Sequence, residues 1–398
     1  MSKEMESVNR TLIIMLALGG FLAGSAELVV SGILQVIAAD LNLSVALAGQ
    51  LVTAYSIAFA VGTPLIIAFT RKRARKDVLV GSLILFALGS AVAFFSTGFE
   101  VLIFSRIVLG IGAGLYSVVA LSSIAKLVPP GKIGSAVGMI ALGFSLAMAL
   151  GVPIGVAVAE WWSWRGIFAL LAVLSLLVAV ALAKLMPNIA GGSSVPFVQQ
   201  ARVLRNPVIL AGIGAALFNS MSHSVILTYL APYLQTIYEV GTGGVGVIML
   251  ALGLIGIFGS RLGGSGVDRF GAGRMLVFSL AAGVITLALT PLLSATLAGG
   301  LAMIILWMGS VFMSAPALNA YLIRQSGDAA DLVLGLNTPI IHLGLALGAA
   351  SGGVLSEASE TVLYHPWLGS VTVAVGVAAA VWSNSAARRR GQAAKPVA

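Results

Sequence analysis

The chain has 398 residues, of which 59% are hydrophobic and only 9% are charged. Soluble domains contain about 45–50% apolar and about 25% charged residues, so this composition excludes a water-soluble fold. The net charge is +9 and there is no cysteine, which excludes disulfides, thiolate chemistry and zinc–sulfur sites.

Twelve apolar stretches are long enough to cross a bilayer. About 20 apolar residues span its core as a helix, and a helix satisfies its own backbone hydrogen bonds in lipid. The predicted spans are 12–36, 45–69, 78–97, 101–125, 133–159 and 166–186, followed by 208–237, 244–267, 273–294, 297–322, 332–356 and 364–385. We predict an all-α membrane protein of twelve transmembrane helices in two six-helix halves.

Between the sixth and seventh spans the chain is rich in glycine, serine and proline, a composition typical of a linker. We predict an N-terminal bundle over 1–187, a cytoplasmic linker over 188–207, and a C-terminal bundle with a short basic tail over 208–398. Several glycines of the first half have a counterpart 197 residues later in the second half, for example Gly151 and Gly348, since 348 − 151 = 197. The glycine pairs at this offset are Gly62 and Gly259, Gly138 and Gly335, Gly151 and Gly348, and Gly155 and Gly352. Such internal duplication is the usual plan of secondary transporters.

The basic residues fall in alternate loops. One set of loops, with the C-terminal tail, holds Arg71, Lys72, Arg73, Arg75, Lys76, Lys126, Lys132, Lys184, Arg202, Arg205, Arg269, Arg274, Arg324, Arg388, Arg389, Arg390 and Lys395. The opposite loops are acidic, with Arg165 as an exception. The positive-inside rule therefore predicts a multi-pass protein of the cell inner (plasma) membrane with both termini cytoplasmic, and the basic surplus indicates topology rather than nucleic-acid binding. Trp161, Trp162 and Trp164 fit an interfacial aromatic belt.

Four stretches carry a family resemblance. The first covers Gly24–Leu34, Ile37–Leu41 and Ala48–Tyr55, with an acidic residue inside the first span. The second is the loop between spans 8 and 9, and its residues are Gly264, Asp268, Arg269, Gly271 and Arg274. The third is Arg106–Gly114 in span 4, and the fourth is Leu150–Gly155 in span 5, followed by Trp164 and Arg165.

These stretches resemble the major facilitator superfamily, and within it the sugar/purine efflux-like subgroup of the drug:proton antiporter family. The loop between spans 2 and 3 departs from the family pattern, because Arg71 replaces the aspartate and Ala74 replaces a glycine. The resemblance assigns a cytoplasmic gating motif to the loop after span 8. It assigns an antiporter motif to Gly151, Pro153 and Gly155 in span 5.

The resemblance implies a secondary active transporter that exports a small organic solute, either a drug, a sugar or a nucleobase-like compound, in exchange for protons by alternating access. We predict a monomer in the lipid bilayer with no cofactor. The alternatives are a facilitator or a proton-coupled importer and, more remotely, a membrane-embedded enzyme. The sequence offers no Ser/His/Asp set, metal-ligand cluster or P-loop, so we predict that the chain is not an enzyme.

Glu27 is an acidic residue near the middle of an apolar span, where an ionisable group costs about 2.5–3.5 kcal/mol on translocon scales. We predict that it takes up and releases protons; the alternative is a boundary residue that reaches the membrane surface. Arg106 lies at a similar depth in span 4. It can form an ion pair with Glu27 or tie span 4 to backbone carbonyls of neighbouring helices.

A cavity for a small organic solute needs apolar walls and a few convergent polar groups. The candidates are Gln35, Gln50, Tyr55, Tyr116, Asn219, His223, Tyr229, Asn319, Asn337 and His342. The two histidines can either titrate near neutrality or serve as structural hydrogen-bond donors.

Small residues at four-residue spacing let membrane helices approach closely. The pairs are Gly20 with Gly24, Gly134 with Gly138, Gly151 with Gly155, and Gly348 with Gly352. Pro153 removes a backbone hydrogen bond and is predicted to bend span 5. We interpret these residues as helix contacts and a flexing point rather than as ligands.

Overall fold

A computed structural model describes residues 3–70, 72–128, 133–191 and 205–393. Arg71, Lys132, Arg202, Lys395 and most of the predicted linker lie outside the described residues. The first six membrane helices, here named α1 to α6, are Lys3–Gly32, Val45–Thr70, Arg75–Phe94, Phe99–Leu127, Ile133–Trp161 and Trp164–Leu185. The next six, α7 to α12, are Pro207–Tyr238, Thr242–Phe270, Ala272–Leu293, Leu297–Ser326, Ala330–Ser359 and His365–Ala393.

The predicted fold class is confirmed, because 12 helices in the described ranges are long and apolar enough to cross a membrane. The first predicted span is wrong at its end. The backbone breaks at Ile33, whose φ is −118°, and a separate short helix, Leu34–Asp40, follows. This short helix places Asp40 at its end, where the side chain meets residues of α6.

Corresponding helices of the two halves pack in the same pattern. In the first half α3 packs on both α4 and α6; in the second, α9 packs on both α10 and α12. The pair α1 and α5 likewise corresponds to α7 and α11. Apolar stripes alone do not bring membrane helices together, since lipid is equally apolar, so this packing depends on close van der Waals contact.

Glycines make that close contact. A Cβ at Gly151 would lie 2.2 Å from Ser25 Oγ, and one at Gly348, its repeat partner, would lie 2.2 Å from the Met221 carbonyl oxygen. Gly20, Gly24, Gly155 and Gly352 also face side chains of a neighbouring helix. Gly138 does not, because a Cβ there would meet nothing within 4 Å, so its predicted helix contact is wrong; the side-chain surroundings of Gly134 are outside the described residues.

Helices α2 and α5 each contain one π-helical turn, at Ala58–Gly62 and Ala147–Gly151. The second turn directly precedes Val152 and Pro153, and Pro153 has no backbone N–H to donate. A π turn adds one residue to the helix and often marks a functional position. The predicted flexing point of α5 thus coincides with a local change of helix type.

The chain divides into two compact units. The first comprises Met1–Ser194, Leu230–Gln235 and Glu239–Gly253, and the second comprises Val195–Tyr229, Thr236–Tyr238 and Leu254–Ala398. All of α1 to α6 belongs to the first unit, and α9 to α12 belong to the second.

The close approach at Gly348 gives a test of the helix packing. We expect Gly348→Ala to destabilise the protein by about 1–3 kcal/mol, because the added methyl group overpacks α11 against the α7 backbone. Gly335→Ala is the matched control on the same helix, since a Cβ there meets nothing within 4 Å. Thermal unfolding followed by tryptophan fluorescence compares them, and equal midpoints for the two variants would contradict the packing argument.

Candidate functional site

The side chain of Arg106 is fully buried in the first unit. Its Nη1 donates to the Ala26 carbonyl on α1 at 2.6 Å, and its Nε donates to the Leu51 carbonyl on α2 at 3.1 Å. The guanidinium also lies over the ring of Tyr55, 4.4 Å from the centroid. Arg106 therefore ties α4 to α1 and α2 through backbone groups, and this geometry does not depend on the charge of Glu27.

Glu27 follows Ala26 on α1, so it lies beside the arginine. As a residue Glu27 has intermediate exposure, whereas Arg106 is completely buried, and the two groups interact electrostatically. Among the described residues, Arg106 Nη2 is buried and has no hydrogen-bond partner. The site thus combines a fixed cation, a buried nitrogen of that cation without a hydrogen-bond partner, and the acidic side chain of Glu27.

In the second unit, two side-chain contacts join α7 to α10, and the α7 residues that make them are one helical turn apart. Asn219 Nδ2 donates to Ser314 Oγ at 3.0 Å, and the ring of His223 lies 5.8 Å from that of Trp307. His223 is partly exposed, while its Nε2 is buried and has no hydrogen-bond partner among the described residues. Ser314 and Trp307 were not among the sequence candidates, and only the contact with α7 distinguishes them from other residues of their types.

Three tyrosines predicted to line a cavity are instead buried between helices. Tyr55, Tyr116 and Tyr229 are each at most 1% exposed, and their hydroxyls donate to the carbonyls of Ala23, Leu16 and Ala349. Each tyrosine bonds a backbone carbonyl in another helix. In this structure their hydroxyls hold helices together and are not presented to a solute.

The other predicted cavity residues differ in exposure. Gln35 and Gln50 are partly exposed in the first unit, and Asn319 is exposed in the second. Asn337 and His342 on α11 are buried, at 3% and 7% exposure. The exposed and partly exposed residues remain the better candidates for solute contact.

The predicted gating motif surrounds the end of α8. Gly271 has a φ of +87°, a conformation that side-chain-bearing residues rarely adopt, and it separates α8 from α9. Asp268, Arg269 and Arg274 are exposed, and a Cβ at Gly264 would meet nothing within 4 Å. Within the described residues, no side-chain hydrogen bond or ion pair joins these charged groups to one another.

Arg261 on α8 was not recognised from the sequence. It lies nine residues before the last residue of the helix, Phe270, and it is exposed. Its charge inside an apolar span was the available signal, because an arginine at membrane depth is costly. It adds to Glu27 and Arg106 a charged membrane position in the second unit.

Asp40, Trp164 and Arg165 form a cluster at the ends of their helices. Asp40 Oδ2 accepts hydrogen bonds from Arg165 Nη1 at 2.7 Å and from Trp164 Nε1 at 3.1 Å, and Arg165 Nε donates to the Ser96 carbonyl. Trp164 is only 3% exposed, so its predicted place in an aromatic belt is wrong. The hydrogen bonds from Arg165 and then Trp164 hold the pKa of the Asp40 carboxyl below its ordinary value.

A family model described as Major Facilitator Superfamily matches residues 16–388. The chain belongs to this superfamily. It is 31% identical over 373 residues to YbcL of Bacillus subtilis (strain 168), described as an uncharacterized MFS-type transporter, with 94% of this chain and 95% of that protein covered. It is 29% identical over 362 residues to the inner membrane transport protein YdhP of Escherichia coli (strain K12), covering 91% and 93%. The chain is therefore a membrane transporter of a small solute and not an enzyme.

Solved structures share the major facilitator fold. A bacterial homolog of the human lysosomal transporter Spinster, inward-facing and occupied, gives a TM-score of 0.78 at 19% identity, with 98% of each chain covered. The D-xylose-proton symporter gives a TM-score of 0.76 at 20% identity, covering 93% of this chain and 96% of that one. At these identities the likeness concerns the fold alone.

The Asp40 cluster predicts a pH dependence of stability. The pKa of Asp40 is lower in the folded protein than in the unfolded chain. Ionised Asp40 therefore stabilises the folded protein above about pH 3.9, the ordinary pKa of an aspartate, and this stabilisation is lost as the pH falls through the folded-state pKa. Since Asp40 is 44% exposed, we expect Asp40→Asn to cost less than about 1 kcal/mol at neutral pH. Thermal midpoints at several pH values measure this cost, which should vanish in acid; Glu100→Gln, an exposed acid, is the control, and a pH-independent difference would contradict the assignment.

The buried arginine gives a separate stability test. We expect Arg106→Lys to cost about 1–3 kcal/mol, because one ammonium group cannot satisfy both the Ala26 and Leu51 carbonyls and leaves a buried acceptor unpaired. Arg261→Lys, at an exposed position, should unfold like the wild type. An unchanged midpoint for Arg106→Lys would show that the two carbonyl contacts do not require the guanidinium.

Proposed function

We propose that the protein exports a small organic solute in exchange for protons by alternating access, with Glu27 as the proton carrier. The supporting observation is that Glu27, a residue of intermediate exposure, interacts electrostatically with the fully buried cation of Arg106. Secondary transporters of this class place substrate and ion sites near the bilayer midplane. Glu27 is an acidic residue within the membrane span of α1, Arg10–Gly32.

Arg106 acts as a positioning residue in this mechanism. Its Nη1 and Nε are held by carbonyls, so its charge stays fixed while Glu27 gains or loses a proton. The ionised carboxylate is attracted to the guanidinium, and the protonated form is not. Each protonation change therefore alters the attraction between α1 and α4, which links proton binding to the packing of these helices.

For the solute, we propose contacts from accessible polar groups, considered separately within each unit. Gln35 and Gln50 serve in the first unit, and Asn219, His223 and Asn319 serve in the second. Their uncharged hydrogen-bonding groups suit a drug, a sugar or a nucleobase-like compound. The residues of the first two predicted spans support placing the chain in the sugar/purine efflux-like subgroup of the drug:proton antiporters.

We further propose that the protein is a monomer in the inner membrane, with both termini in the cytoplasm. The concentration of basic residues in alternate loops supports this orientation. The relative YdhP is described as an inner membrane transport protein, which supports the choice of membrane. We also propose bundles over 1–187 and 208–398, joined by a linker, because two repeated halves are the usual plan of secondary transporters.

A proton-coupled importer is the second candidate. The D-xylose-proton symporter has a similar fold, so the fold is compatible with coupling in the opposite direction. Reconstituted vesicles with an imposed pH gradient of either sign separate the two. Antiport drives a solute against the proton flux, symport drives it along the flux, and a facilitator responds to neither gradient.

The proton carrier is tested with Glu27→Gln in the same vesicles. The probes are a labelled pentose, a purine nucleoside and a fluorescent aromatic cation, each followed together with a pH-sensitive dye. We expect proton-driven transport of the accepted probe to fall to the level of empty vesicles, because the amide cannot exchange a proton. Solute exchange without a gradient should persist.

Glu100→Gln is the matched control and should transport like the wild type. Circular dichroism and thermal unfolding of Glu27→Gln establish that the variant is folded. Full coupled transport by folded Glu27→Gln would rule out Glu27 as the carrier.

A further inference from the structure

His365 begins α12 and is enclosed by three helices of the second unit. It is 2% exposed, and its ring lies 4.7 Å from that of Tyr229 on α7. Gly352 on α11 makes this arrangement possible, since a Cβ there would lie 2.5 Å from Tyr229 Cε2 and 3.4 Å from His365 Cδ2. The imidazole therefore occupies the junction of α7, α11 and α12, and none of the functional roles above uses it.

Both ring nitrogens of His365 face backbone carbonyl oxygens. Nδ1 lies 3.0 Å from the Val362 oxygen, and Nε2 lies 3.0 Å from the Gly352 oxygen and 3.1 Å from Ser356 Oγ. A carbonyl oxygen can only accept a hydrogen bond. A neutral imidazole carries one N–H, whereas the imidazolium carries two. Only the protonated ring can therefore donate to both carbonyls.

The surroundings offer partial compensation for a positive charge. Burial opposes the charge, but two carbonyl dipoles and the Ser356 hydroxyl contact the ring nitrogens, and the Tyr229 ring lies against the imidazole. Among the described residues, the nearby titratable groups are Tyr229 on α7, the exposed Glu357 on α11, which acts electrostatically on Tyr229, and Tyr364, the residue before α12. No described cation of these segments faces the ring.

We propose that His365 is a second proton-binding site of this transporter, at which the bound proton joins α12 to α11. The protonated ring donates to the carbonyls of Gly352 on α11 and Val362 before α12. When the proton leaves, one carbonyl oxygen faces a nitrogen lone pair instead of an N–H donor, even where the Ser356 hydroxyl turns to donate to that nitrogen. The site then responds to pH independently of Glu27, and it does not depend on the direction of transport.

Spectroscopy of the histidines tests the proposal directly, because the chain contains 3 of them. The double variant His223→Gln, His342→Gln retains His365 alone, and its full-length protein is labelled with ¹⁵N-histidine and placed in lipid nanodiscs. We expect ring shifts typical of two protonated nitrogens at about pH 6, changing to one protonated nitrogen as the pH rises. A single protonated nitrogen at every pH at which the protein is folded would overturn the proposal. Should the double variant not fold, each single variant removes one signal from the wild-type spectrum and assigns His365 by elimination.

Thermal unfolding distinguishes a proton site from a purely structural histidine. In wild type, the stabilising contact is present while His365 is protonated and is lost as the pH rises, so the midpoint should fall over about pH 5–8. His365→Asn should remove this fall, whereas the His342→Asn control should retain it. A constant destabilisation of His365→Asn at every pH would show that the ring only fills space and would refute the proton site. Ser356→Ala, which leaves both carbonyl contacts, should keep the pH dependence.

Discussion

The guanidinium of Arg106 is buried in the interior of a membrane bundle, and its charge has to be compensated locally. Two backbone carbonyls, on α1 and α2, and the ring of Tyr55 supply this compensation. A carbonyl already bonded within its helix can accept a second hydrogen bond because it has two lone pairs. The cation is thus held by the backbone, so a change in the charge of the neighbouring Glu27 does not remove these contacts of Arg106.

The duplicated architecture supports different chemistry in its two halves. Position 223 corresponds to position 26 by the repeat offset, since 223 − 26 = 197. In the first half, the carbonyl of Ala26 accepts a hydrogen bond from the buried Arg106. In the second half, the ring of His223 lies against that of Trp307. The close glycine contacts at Gly151 and Gly348 are shared. Backbone packing therefore repeats, while the side chains between the helices at this position have diverged.

The twelve helices could be predicted from the sequence because each span meets one simple requirement of length and apolar character. The site could be predicted only in part. Glu27 and Arg106 were identifiable because charge in lipid is costly, and by the same argument Arg261 should have been recognised. The tyrosines and Trp164 were misplaced because a polar tip on an aromatic ring suits a cavity, a membrane interface or a buried carbonyl equally well. Which of these environments a given ring occupies depends on the neighbouring helix that it faces.

The charged groups of the first unit differ in their capacity to exchange protons. Asp40 is an acid with strong partners, and the hydrogen bonds from Arg165 and Trp164 favour its ionised form, so it remains a structural anion at ordinary pH. A guanidinium does not lose its proton in proteins, which excludes Arg106 and Arg165 as carriers. Tyr55 and Tyr116 donate their hydroxyl hydrogens to carbonyls. Within the described membrane helices of this unit, Glu27 is the group that combines partial exposure with a neighbouring fixed charge. In the proposed mechanism, proton exchange at Glu27 changes the attraction between α1, which carries it, and α4.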